Sequence, residues 1–140
     1  MNNNQELFKR WFASSKDDLD AANWMMEGGF YHNACFFSQQ CIEKALKAYL
    51  YLQGERNIWG HSTYLVALSC CNYNDNFSTF FEDFKKIDRF YIPTRYPNGI
   101  PAGTPRENYI KSDSLYAISI AEKLIQFINS IITDANSVKR

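Results

Sequence analysis

The chain has 140 residues, the size of a single domain with a substantial core, and its 46% hydrophobic and 16% aromatic content reads as globular, not disordered. Fifteen basic residues balance fifteen acidic ones, which argues against strong sequence-independent binding of nucleic acid and leaves room only for a local basic patch. No apolar run reads as a membrane span, and the opening Met1-Asn2-Asn3-Asn4-Gln5 is unlike a signal peptide, so the expected location is the cytoplasm.

From Gln5 to Glu27, Phe8, Trp11, Phe12, Ser15, Leu19, Ala22 and Met26 recur at spacings of three and four, which predicts an amphipathic helix stopped by Gly28-Gly29. A second helix is predicted from Phe30 to Gln53, with Gly54 as its stop. Ala34, Phe37, Cys41, Ala45, Ala48 and Leu52 form one face, and Ile42, Leu46, Tyr49 and Leu50 widen it to about half the circumference at about 100° per residue. A helix apolar over that arc packs on two sides, so it is expected at the centre of a bundle. Its polar edge carries Gln40, Glu43, Lys44 and Lys47. Glu43 and Lys47 are an i,i+4 pair in the favourable orientation. This edge reads either as a solvated face or as two lysines lining a groove toward an anion.

Residues 54–62 read as a loop and 63–71 as a short helix. Residues 72–76 are a polar break, and a further helix is expected over 78–90 with Phe80, Phe81, Phe84 and Ile87 inward. The stretch Asp88-Arg89-Phe90-Tyr91-Ile92-Pro93-Thr94-Arg95-Tyr96-Pro97-Asn98-Gly99 follows. Its prolines fix φ and push Ile92 and Tyr96 out of the α region, so Arg95 stands on a stiff turn between Tyr91 and Tyr96. A planar cation among aromatic rings suits phosphate, carboxylate or base recognition; it suits equally the pinning of the loop to a neighbouring helix. After an irregular 100–105, one long helix is expected from Arg106 to Thr133, striped by Ala117, Ala121, Leu124, Ile128 and Ile131. No strand of useful length is legible. The expected fold is all-α, a mainly antiparallel up-and-down bundle of four to five helices over residues 5–133, with 1–4 and 134–140 as flexible tails.

Chemistry-bearing motifs are few. There is no Walker loop, Gly-x-Gly-x-x-Gly, His-Glu-x-x-His or Gly-x-Ser-x-Gly, and no nucleophile is placed beside either histidine, His32 or His61. Cys35, Cys41, Cys70 and Cys71 form no Cys-x-x-Cys pair and no histidine stands at zinc-finger spacing, so buried reduced thiols are expected, with no metal and no cofactor.

Several of these stretches together resemble the HEPN domain (higher eukaryote and prokaryote nucleotide-binding). Residues 34–48, Ala-Cys-Phe-Phe-Ser-Gln-Gln-Cys-Ile-Glu-Lys-Ala-Leu-Lys-Ala, are similar to its second-helix signature, and His61 with Leu65 and Leu68 to the segment after it. Residues 88–97 resemble its Leu-Asp-x-x-Tyr-x-x-x-Arg-Tyr-Pro turn, with Ile87 in the leucine position, and Asp113 matches an acidic position in the last helix. The likeness covers roughly residues 7–130. It implies a helical bundle that often dimerises and is frequently encoded beside a small nucleotidyltransferase in toxin–antitoxin-like pairs, and for which a nucleotide-binding role has been proposed. Other branches are ribonucleases using Arg, four to six residues, then His, near the start of a late helix. Here neither Arg95 nor Arg106 is followed by a histidine at that spacing, and Arg56 and His61, which match numerically, lie in the loop after the second helix.

The leading expectation is therefore a module that binds a nucleotide or another phosphorylated ligand through Lys44, Lys47, His61, Tyr91, Arg95 and Tyr96, working with a nucleotidyltransferase partner. A purely structural subunit, acting as a homodimer and by partner binding, is the alternative. An RNA-cleaving toxin ranks third because its motif is misplaced.

Overall fold

The computed structural model describes the backbone of residues 2–138 and the side chains of residues 2–133. Six α-helices and no strand occur among the described residues. The first, α1 (Asn3–Glu27), begins two residues earlier than its apolar pattern. Asn2 Oδ1 accepts from the Gln5 N–H at 2.8 Å and Gln5 Oε1 accepts from the Asn2 N–H at 3.2 Å, a reciprocal box that satisfies two otherwise orphaned donors. The opening asparagines, expected as part of a tail, thus start the helix.

Both long N-terminal helices stop by the same device. At the end of α1, Gly29 takes φ +81°, and Phe30 and Gly29 donate to the carbonyls of Met25 and Met26. At the end of α2 (Tyr31–Leu52), Gly54 takes φ +101°, and Glu55 and Gly54 donate to Leu50 and Tyr51. Each is a Schellman closure, and each needs a residue without a Cβ at the left-handed position.

Contacts along the chain show how the helices run. Trp11 packs on Tyr51, Ser15 bonds to Cys41, and Ala22 shares a cluster with Ala34, so α1 and α2 are antiparallel. Ala34 meets Ile118 at one end of α6 (Lys111–Val138), while Tyr49, Phe77 and Phe127 are in contact at the other, so α2 and α6 run the same way. The return between them is made by α3 (Thr63–Cys70), a 3₁₀ turn over Asp75–Phe80, and α4 (Phe81–Asp88). As its broad apolar arc requires, α2 is buried nearly all round, with Ala34, Cys35, Cys41, Ile42, Ala45, Leu46 and Ala48 fully enclosed.

The last helix departs from expectation in two ways. The single helix predicted from Arg106 is interrupted: α5 (Pro105–Asn108) is one turn, Tyr109 is extended, and α6 starts afresh where Asp113 Oδ2 accepts from the Ile110 N–H at 2.9 Å. Asp113 thus fills the third position of a helix start, which gives the acidic residue there a structural purpose. The helix then continues through Val138, past the expected end at Thr133; Lys139 and Arg140 lie outside the described residues. Its stretch Lys111–Thr133 is also long and apolar enough to cross a membrane by length and composition, contrary to the sequence expectation. In the fold, Ala117, Ile118, Ile120, Ala121, Leu124, Ile125 and Ile128 are buried in the core.

Cys35, Cys41 and Cys70 are buried as expected, and desolvation pushes the thiols of Cys35 and Cys41 up to about 12, where they behave as small hydrophobes. Cys71 is half-buried.

Asp88, the first residue of the arginine turn, ends α4 and caps α3. Its carboxylate accepts from the Thr63 N–H at 2.6 Å, the Tyr64 N–H at 3.2 Å, the Thr63 hydroxyl at 2.7 Å and the Ser62 hydroxyl at 2.7 Å. An anion placed on the first N–H groups of a helix satisfies their hydrogen bonds and complements the helix dipole together. Asp88→Ala leaves buried donors unpaired and is expected to cost about 2–3 kcal/mol in urea unfolding. Asp88→Asn, which keeps one acceptor oxygen, is expected to cost less.

Candidate functional site

The polar stripe of α2 does not face water. Gln39, Glu43 and Lys47 are successive residues of one helix face, and loop residues 58–62 close over them. Gln39 Nε2 donates to the His61 carbonyl at 2.7 Å, and Lys47 Nζ donates to the Gly60 carbonyl at 2.8 Å and to Glu43 Oε2 at 3.1 Å. Glu43 is 5% exposed and Lys47 6%. Removing two charges from water at that depth is compensated only because each finds a partner of opposite sign and a further hydrogen bond. Gly60, at φ +94°, gives the loop the bend that turns its carbonyl toward Lys47.

The second oxygen of Glu43 faces His61 Nδ1 at 3.2 Å. A carboxylate can only accept, so Nδ1 carries the proton in this contact, and Nε2 is left toward solvent on a side chain that is 60% exposed.

The arginine turn lies against this imidazole. The rings of His61 and Tyr91 stack with centroids 4.6 Å apart at 18°. Arg95 Nε donates to the Tyr91 carbonyl at 3.0 Å, which aligns the guanidinium over three rings: Tyr91 at 4.4 Å, Phe36 at 4.7 Å and Tyr96 at 5.1 Å from Cζ. The turn is held from beneath by Thr94, which is buried and bonds through its hydroxyl to the Phe90 carbonyl. Among the described residues, Arg95 pairs with no carboxylate, and its two terminal nitrogens have no partner. An arginine fixed at Nε and flanked by ring faces presents the remaining edge of its fork to a ligand oxygen pair.

Of the six residues expected at the site, the structure gathers His61, Tyr91, Arg95 and Tyr96. Lys47 lies directly behind the loop, but its ammonium is used by Glu43 and Gly60. Lys44 is elsewhere: its Nζ is 2.9 Å from Asp18 Oδ2 and 3.0 Å from Ser14 Oγ, bridging α2 to α1. The expected pair of lysines lining a groove is therefore replaced by two structural contacts, because residues three apart on this helix meet different neighbours. Phe36 and Glu43 were missed as site residues. Their signal was available in the spacing of Phe36, Gln39, Glu43 and Lys47, one turn after another along α2. What the spacing lacked was the identity of the element that covers them.

Arg56 and His61 both line a pocket of about 410 Å³ between the loop and α3. Arg56, however, spends one terminal nitrogen on the Glu55 carbonyl and the other on Asn4 Oδ1, each at 2.7 Å. The numerical Arg-x-x-x-x-His match does not join a free guanidinium to the imidazole.

The model of the HEPN domain matches residues 8–131. The chain belongs to the HEPN family. Solved structures agree with it: a protein of Thermus thermophilus is 31% identical, covering 88% of this chain and 96% of its own, with a TM-score of 0.83. An archaeal HEPN homologue is 30% identical over 89% of this chain and 97% of its own, with a TM-score of 0.74. Among curated proteins, a candidate toxin of Methanocaldococcus jannaschii is 21% identical over 98% of this chain and 95% of its own length. This HEPN domain thus has a toxin-like relative, and its stack of His61, Tyr91 and Arg95 lies where α2, the His61 loop and the turn of residues 88–97, all part of the resemblance, meet.

The buried pair separates the two lysines by experiment. Lys47→Met strands the Glu43 carboxylate and is expected to cost about 3–5 kcal/mol in denaturant unfolding. Lys44→Met removes a less deeply buried contact but leaves the Asp18 oxygen unpaired, and is expected to cost about 1–3 kcal/mol, less than Lys47→Met.

Proposed function

We propose that this HEPN domain binds a nucleotide or another phosphorylated ligand, with the phosphate on the free edge of Arg95 and with Tyr96 and His61 beside it. The observation that carries the reading is the Arg95 fork: fixed at Nε, stacked among three rings, and unpaired with any carboxylate among the described residues. An arginine used only to pin the turn would gain most by turning its fork to a protein acceptor, as Arg56 does. The domain works, in this reading, with a nucleotidyltransferase partner in a toxin–antitoxin-like pair and as a homodimer. The family membership and the toxin-like relative support that setting.

A thermal-shift screen against mononucleotides tests the site. A ligand at about 100 times its dissociation constant stabilises the native state by roughly 2.7 kcal/mol, several degrees for a domain of this size. The rise is expected in wild type and strongly reduced in Arg95→Ala, with circular dichroism confirming that the variant is folded. Arg95→Lys keeps the charge without the fork and is expected to retain only a small part of the shift. No rise with any mononucleotide in wild type overturns the reading in favour of a purely partner-binding subunit.

One observation favours a second reading, RNA cleavage: the Glu43 carboxylate orients His61 and leaves Nε2 open, the arrangement a general base needs. Purified protein that cuts RNA, with the cut abolished in His61→Ala, would establish it; intact RNA after prolonged incubation excludes it.

A further inference from the structure

The pocket of about 410 Å³ beside His61 is within the size range of small-molecule sites and has its own chemistry. Leu50, Ile58, Leu65 and Val66 give it apolar walls, and the rings of Trp59 and His61 stand at its rim. Trp59 is 83% exposed, on a loop whose position is fixed by the buried side chains of Gln39 and Lys47 at the next two carbonyls. A large indole held in water by a pinned backbone is a ring face with no protein partner.

The donors around the pocket are largely engaged within the fold. Each terminal nitrogen of Arg56 already donates one hydrogen bond, to the Glu55 carbonyl and to Asn4 Oδ1. The first N–H groups of α3, the usual seat for a phosphate, are already taken by the Asp88 carboxylate. Glu55 places a carboxylate on the wall itself. A neutral planar group that stacks and fills apolar space is the complement. His61 belongs to this pocket and also stacks on Tyr91, the ring that carries Arg95. One imidazole therefore stands between the pocket and the Arg95 fork.

We infer that this pocket is the nucleobase subsite of the ligand whose phosphate Arg95 takes, with Trp59 as the stacking platform. The inference rests on the phosphate reading of Arg95 given above. It assigns to Trp59, a residue outside every stretch that carries the family resemblance, the recognition of a neutral aromatic ring.

Calorimetric titration of the full chain with the four common ribonucleosides, ribose 5-phosphate and the 5′-mononucleotides separates the two subsites. At least one nucleoside is expected to bind wild type, and Trp59→Ala is expected to weaken it about tenfold, within the range of single stacking contacts. Because Trp59 is exposed, the variant keeps its core; Ser69→Leu, which fills the pocket from α3, provides a second block. Arg95→Ala is expected to leave the nucleoside unaffected and to lower the mononucleotide to the nucleoside's affinity. Binding of ribose 5-phosphate without any nucleoside overturns the pocket and leaves the Arg95 reading standing. Mononucleotide binding unchanged by both pocket variants overturns the pocket as well. A nucleoside bound through Trp59 with no gain from its phosphate overturns the Arg95 reading and the link between the sites. No binding of any of these compounds overturns both.

Discussion

The geometry of the site depends on one buried ion pair. Glu43 and Lys47 are a turn apart on the central helix, and neither is stable at that depth alone. Each therefore reaches outward for a second partner. Lys47 takes the Gly60 carbonyl and Glu43 takes the His61 imidazole, with Gln39 completing the set at the His61 carbonyl. A loop that could follow many paths across α2 is held at two adjacent residues by three side chains of one rigid helix. The orientation of His61 follows from the need to satisfy charges in the core, and the position of Tyr91 follows from His61.

The arginine turn divides its residues between holding and displaying. Asp88 caps α3, Thr94 closes the turn on Phe90, and the prolines limit its backbone. Arg95 and Tyr96 are then carried on a platform they do not themselves maintain. Arg95 also has an unusual electrostatic setting for a chain with zero formal charge: three ring faces surround the guanidinium where a carboxylate would usually stand. The rings stabilise the cation through their quadrupoles without neutralising it, so its charge is kept for something else. The contrast with Lys44 and Lys47 is clear, since each of those cations is paired with a carboxylate within the fold.

The two devices converge on His61. From α2 comes the carboxylate that sets its proton, from the turn comes the ring that stacks on it, and from its own loop comes the pocket it lines. The α2 segment, the loop of His61 and the arginine turn are joined at one imidazole, and all three contribute to the sequence likeness to the family. The distance in sequence between the loop and the turn is bridged by α3 and α4, whose mutual placement is set by Asp88.

Much of this was legible in the sequence. The periodicity of residues 5–53 and of the last helix is imposed by which side chains must leave water, so the helices, their glycine stops and the central burial of α2 followed from spacing alone. The stiff turn that presents Arg95 followed from the prolines, whose constraint is local. Local pattern did not reach the start at Asn2, the break at Tyr109 or the 3₁₀ path over Asp75–Phe80, where individual side-chain hydrogen bonds and nearby packing decide. Nor could it distribute the lysines. Lys44 and Lys47 have the same chemistry and lie on nearby parts of one helix, yet one meets α1 and the other meets a loop carbonyl. Helical phase fixes the direction in which a side chain leaves its own helix; what it meets there is decided by elements far away in the chain. The sequence by itself therefore determined the family, the bundle and the residues offered to the site, and only the tertiary structure decided which of their charges remain unspent.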